Sequence, residues 1–140
     1  MSTSWPRLPK AGDIVWCHFP NYDPKDPTMK ERPALVVSVM EGRKPPLLRV
    51  AYGTSQKPRP VTAGCFLLED PEHLKIAGLW KPTRFNMKNL VVLPWTLAAF
   101  LNAPGEAGTY KPSPVMGALH SGCYQDMLRA AMEAGITGKR

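Results

Sequence analysis

Apolar positions in this chain fall in short alternating or continuous blocks, and only the last block has helical spacing. Residues 13–19 (Asp-Ile-Val-Trp-Cys-His-Phe) are rich in β-formers and predict a strand. A period of two puts Ile14, Trp16 and His18 on one face and Val15, Cys17 and Phe19 on the other. Residues 33–40 (Pro-Ala-Leu-Val-Val-Ser-Val-Met) run apolar without alternation, the pattern of a strand buried on both faces. A third strand is expected over 47–52, ending in Gly53-Thr54-Ser55, and a fourth over 61–68, interrupted at Gly64. Residues 84–88 alternate into a further strand at 90–93, which Pro94 stops. Residues 70–77 predict a short helical turn, with Asp70 as N-cap and Pro71 in the first helical position. A second short helix is expected over 96–102, capped by Thr96. The last element, 121–134, reads as a helix that Ser121 caps and Gly135 ends in the left-handed conformation. Its Cys123, Met127, Ala130, Ala131 and Ala134 form a narrow packing stripe, and Trp16 and Phe66 are expected in the core.

Proline sets the lengths of these elements. Sixteen prolines in 140 residues, roughly twice the usual share, leave room for short strands and stiff connections but not for long helices. Residues 1–11 read as a flexible N-terminal arm, 20–30 as a loop long enough to carry function, and 103–114 as a Gly/Pro linker. The expectation is one domain over 12–140, mainly β with a C-terminal helix, built as a small twisted barrel or half-open sheet. Three widely spaced cysteines, Cys17, Cys65 and Cys123, imply neither a disulfide framework nor a zinc site. The N-terminus lacks the apolar core of a signal peptide, and no run approaches a membrane span, so a cytoplasmic location is expected, with no membrane partner. Eighteen basic residues against eleven acidic ones give a net charge of +7, which favours a polyanionic partner such as nucleic acid.

Three pieces, in order, resemble a known family. Gly12-Asp13-Ile14-Val15-Trp16 followed by Phe19-Pro20, then Glu31-Arg32-Pro33-Ala34-Leu35-Val36-Val37-Ser38, then Val50-Ala51-Tyr52-Gly53-Thr54-Ser55 are similar to the first three strands of MazF/PemK toxins. Thr83-Arg84-Phe85-Asn86-Met87-Lys88, ahead of residues 90–93, resembles the later strand pair. The agreement spans residues 12–95; the tail beyond Trp95 is only loosely similar. The resemblance implies an SH3-like barrel with a C-terminal helix, as in CcdB/MazF/PemK-type plasmid maintenance toxins, usually a homodimer. It also implies a metal-independent, sequence-selective endoribonuclease that uses no cofactor, cuts single-stranded RNA and is inhibited by a small acidic antitoxin.

The residues suit that chemistry. Metal-free RNA cleavage can use the substrate's own 2′-hydroxyl as nucleophile. The protein must then accept that proton, protonate the leaving 5′-oxygen and stabilise charge on phosphorus, a task for a preorganised cation. Arg32 stands at the mouth of the most buried strand beside a proline, and its planar fork grips two phosphate oxygens. The matching arginine is catalytic in the family; read from position alone, Arg32 is a surface arginine pairing with Glu31 or a loop acid. Thr54 and Ser55 follow Gly53 at a strand end, where hydroxyls can hold a phosphate or orient the 2′-hydroxyl. Read without the resemblance, they form a plain turn in which Thr54 bonds its own backbone. His18 and Glu31 are the proton-acceptor candidates.

For RNA grip, two acid-free stretches, 42–68 and 73–105, carry Lys57, Arg59, Arg84 and Lys88 among other basic residues, and Lys30 and Tyr22 come from the long loop. Trp80 and Phe85 are candidates to stack on bases. Two other functions fit the same fold: a CcdB-like toxin that grips DNA gyrase through the C-terminal helix, and a non-catalytic module that binds nucleic acid or protein.

Overall fold

A computed structural model describes residues 4–18 and 31–135. Six strands, β1 (Asp13–His18), β2 (Glu31–Met40), β3 (Leu47–Thr54), β4 (Cys65–Leu68), β5 (Thr83–Pro94) and β6 (Val115–Ala118), pair antiparallel in the order β4-β5-β3-β2-β1-β6. The sheet curls into a half-barrel, so the expected mainly β class with a C-terminal helix is what the chain adopts. Two helices complete it, α1 (Pro71–Ala77) and α2 (Tyr124–Glu133). Tyr22 and Lys30, with most of the β1–β2 connection, lie outside the described residues.

Both faces of the sheet are covered, which explains the unbroken apolar run of β2. Leu35 joins Ile14, Ala51, Phe66 and Phe85 in one cluster, which α1 and α2 cap. Ala34 and Val36 join Val15, Cys17, Leu48 and Val50 in a second, sealed by Trp95 and Phe100. The alternation read in β1 holds: Ile14 and Trp16 face the first cluster, Val15 and Cys17 the second.

The described part of the N-terminal arm is docked on that second cluster. Trp5 and Leu8 pack there, Trp5 donates its indole N–H to Phe100 O (3.3 Å), and Trp95 donates to Trp5 O (3.0 Å). The Gly/Pro stretch before β6 is also tied in place, by Ala103 N–H to Ser113 O (2.9 Å) and Lys111 N–H to Ala103 O (2.8 Å).

Three local expectations change. Residues 96–102 form a turn instead of a helix, in which the Thr96 hydroxyl accepts from Ala99 N–H (3.3 Å). Residues 84–88 and 90–93 are one strand, β5, with a register shift opposite Ala51–Gly53. The C-terminal helix begins at Tyr124 after a 3₁₀ turn (Ser121–Cys123), and the cap of that turn is His120, whose Nδ1 accepts from Gly122 N–H (2.8 Å). The expected stripe is inward: Cys123, Ala130 and Ala131 are buried, with Met127 and Ala134 packed beside them. Glu133 pins α2 to the start of β4 by accepting from Gly64 N–H (2.9 Å) and Arg129 (2.8 Å). The Gly64 bond, then Arg129, hold its carboxyl below the usual carboxylate range.

α1 matters most for the site. Asp70 caps it, accepting from Glu72 N–H (2.9 Å) and His73 N–H (3.4 Å), and Gly78 ends it at φ +78°. Here α1 meets β6 backbone to backbone. A Cβ on Gly78 would lie 2.3 Å from Met116 O, and one on Gly117 would lie 2.3 Å from Ile76 O. Two glycines therefore let the helix end seat against the strand and fix where the α1–β5 connection begins.

Candidate functional site

At one end of β2 a cleft opens between the sheet and the α1–β5 connection. Trp16, Glu31, Pro33, Gly53 and Ser55 line its sheet side; Leu79, Trp80, Lys81 and Thr83 line the other; Arg32 stands in the lining between them. The connection is held at both ends. Leu79 is buried and donates its N–H to Leu74 O (2.8 Å), and Thr83 is buried with its hydroxyl donated to Lys81 O (2.9 Å). Gly53 is needed where β3 forms the floor, because a Cβ there would come within 2.8 Å of the Phe85 ring and the Thr83 methyl.

Strand register gathers residues that are far apart in sequence. Cys17 pairs with Arg32, and His18 with Glu31. Ala34 with Tyr52 is the last pair between β2 and β3 at this end, and Thr54 at the end of β3 pairs with Arg84. Gly53 and Ser55 line the cleft, whereas Thr54 between them is not in its lining. The Thr54 hydroxyl also accepts from Gln56 N–H (3.2 Å), closing the turn after β3.

The possible proton acceptors differ in their surroundings. Glu31 is exposed, and its Oε1 accepts the indole N–H of Trp16 (2.9 Å). His18 has a buried Nδ1 with no hydrogen-bond partner among the described residues, while its backbone is fixed by Tyr52 OH to His18 O (2.7 Å) and His18 N–H to Ala99 O (3.2 Å). A buried imidazole nitrogen without a partner is uncommon, and His18 is not in the cleft lining. Beside it, burial pushes the Cys17 thiol up to about 12 and the Tyr52 phenol up as well. Both stay neutral at physiological pH, so neither supplies an anion to the site.

Among the described basic residues, the structure brings Arg32 and Lys81 to the cleft lining. Arg84 donates instead to the carbonyls of Lys57 (3.3 Å), Pro58 (3.5 Å) and Pro60 (3.3 Å). Arg59 pairs with Glu69. Together they clamp the segment that leaves Ser55. Lys57 is exposed at φ +47° on that segment. Lys88 lies over Gly64, beside the end of α2.

Two aromatic expectations are corrected. Trp16 is core only in part: it packs half-buried against the first cluster, and its ring also lines the cleft 6.2 Å from that of Trp80. Phe85 is fully buried and stacks on Phe66 (5.4 Å), so it is unavailable to bases. Trp16 shares a face with His18 at the end of β1, and that position was the available signal for its role.

Among the described residues no helix is long and apolar enough to cross a membrane. A search of curated proteins finds no match to the chain. The family model for PemK-like, MazF-like toxins of type II toxin–antitoxin systems matches residues 10–93. That span holds β1 to β4, α1 and nearly all of β5, and so contains every residue lining the cleft. The chain thus belongs to the PemK-like, MazF-like toxins of type II toxin–antitoxin systems.

Proposed function

We propose that the chain is a metal-independent endoribonuclease, the toxin of its pair, cutting single-stranded RNA by attack of the 2′-hydroxyl. The observation that carries this reading is the cleft at the start of β2, lined by Arg32 and Ser55 with Thr54 next in the chain, in a protein of this family. Arg32 stabilises the charge that develops on phosphorus, since its pKa above ~12 makes it a poor base. The Thr54 hydroxyl orients the 2′-hydroxyl or a phosphate oxygen, with Ser55 on the cleft side of the same turn. His18 is the favoured proton acceptor because its Nδ1 is buried and unpartnered among the described residues. Glu31 already accepts from Trp16 and acts mainly by holding that ring. Lys57, Arg59, Arg84 and Lys88 serve RNA binding indirectly: Arg59 and Arg84 shape the strand exit, and Lys57 and Lys88 add to the positive field.

The family also supports an antitoxin partner, a homodimer and a cytoplasmic setting. An outward stripe on α2 agrees with a protein partner: Tyr124, Leu128 and Met132 recur every fourth residue and stay exposed. Purified protein incubated with a varied RNA pool in excess chelator should give fragments ending in a 2′,3′-cyclic phosphate. Intact RNA across the pool would refute the enzyme reading.

A further inference from the structure

Trp80 is out of place for a residue of its kind. Trp95 is tied by its indole N–H to Trp5 O, and Trp5 by its own to Phe100 O, whereas Trp80 is 60% exposed. Its exposure is not the looseness of a loop tip. Gly78 and buried Leu79 fix the chain just before it, and buried Thr83 fixes the chain just after. Opposite stands Trp16, tilted 47° to Trp80 and oriented by the Glu31 carboxylate. The two indoles do not lie face to face, so a broad face of Trp80 stays open to a flat ligand. Lys81 and Arg32 put positive charge on the rim, and Ser55 adds a hydroxyl.

An aromatic face beside cations, at a strand end, is the arrangement that takes an unstacked base while its phosphate lies on the cations. We infer that Trp80 is the stacking platform of a nucleobase subsite, receiving the base next to the scissile phosphate of single-stranded RNA. The inference rests on the ribonuclease reading for the identity of the strand, and it adds a specificity-determining residue to that site. Shape, not charge, favours RNA over an acidic peptide: the cationic rim would attract either, but the exposed indole offers a flat face that suits a base.

The test separates binding from cleavage. A short fluorescein-labelled oligonucleotide pool, 2′-O-methylated throughout, cannot be cut by 2′-hydroxyl attack and reports binding by anisotropy. Trp80→Ala should raise its Kd about tenfold or more, with an unchanged melting temperature because the ring is exposed. Trp80→Phe should restore most of the affinity, and oligonucleotide should quench tryptophan emission more in the wild type than in Trp80→Phe. Equal Kd in the wild type and Trp80→Ala, or no binding by the wild type, would overturn the inference. Cleavage of unmodified RNA is measured in parallel. Wild-type binding that depends on Trp80 without any cleavage would uphold the subsite and refute the ribonuclease. Full cleavage by Trp80→Ala with unchanged Kd would do the reverse.

Discussion

Two cavities open along β2, and they differ in chemistry more than in shape. The cleft at the strand's start gathers two indoles, two cations and hydroxyls within about 80 Å³. The second, at the strand's middle, is larger at about 170 Å³, and Ala11, Gly12, Leu35, Val36, Val37, Tyr124 and Met127 line it. Size would choose the second as the site. Chemistry chooses the first, because binding a phosphodiester takes convergent charge and donors that an aliphatic hollow lacks. The second cavity lies where α2 rests on the sheet, with Met127 also packed against the core, so it reads as a seam between packed elements.

Variants can break or sharpen that contrast. The largest effect belongs to Arg32→Ala, which should lower kcat/KM for RNA by about 10²–10³-fold without changing the melting temperature. Arg32→Lys should recover only part, because an ammonium cannot form the bidentate fork. Persistent growth inhibition by Arg32→Ala would move the toxicity away from this cleft. Thr54→Ala should lose about 10²-fold, and Thr54→Ser should keep most of the activity. Full activity in Thr54→Ala would reduce its hydroxyl to the turn bond with Gln56 N–H.

Gly117→Ala tests the support beneath the cleft. The added methyl meets the α1 backbone at 2.3 Å, and overpacking of this kind costs about 1–3 kcal/mol. Chemical denaturation should read that loss together with weaker RNA binding, since the α1–β5 connection must shift. The smallest effect is expected from Met127→Ala in the second cavity: a stability loss of about 1 kcal/mol for a half-buried side chain and unchanged kcat/KM. A large fall in kcat/KM there would give the second cavity a functional part it lacks in this account.

What was legible in the sequence follows from locality. The strand over 33–40, the Asp70–Pro71 start of α1, the α2 stripe and the Gly135 terminus each depend on residues within a few positions of one another. Thr96 shows the limit. Its hydroxyl caps as a helix-starting threonine would, yet the chain turns away after one turn because Phe100 is drawn into the second cluster. β6 lies between the expected linker and the last helix, where the pattern predicts no element: four residues become a strand because β1 has an open edge for them. The apolar character of Trp16 fits its packing on the first cluster but cannot reveal that its ring also borders a cleft.

The sequence by itself determined five of the six strands, the double burial of β2, the N-cap of α1 and the placing of Arg32 and Thr54 at strand ends, all of them consequences of side-chain period and backbone preference. Only the tertiary structure decided that β1 lies between β2 and β6, and that a helix end braced by Gly78 and Gly117 carries Trp80 to within 6.2 Å of Trp16. Trp16 and Trp80 are 64 positions apart, and the β1–β6 partners 100 or more, and no local pattern encodes a distance that the closing of the sheet alone sets.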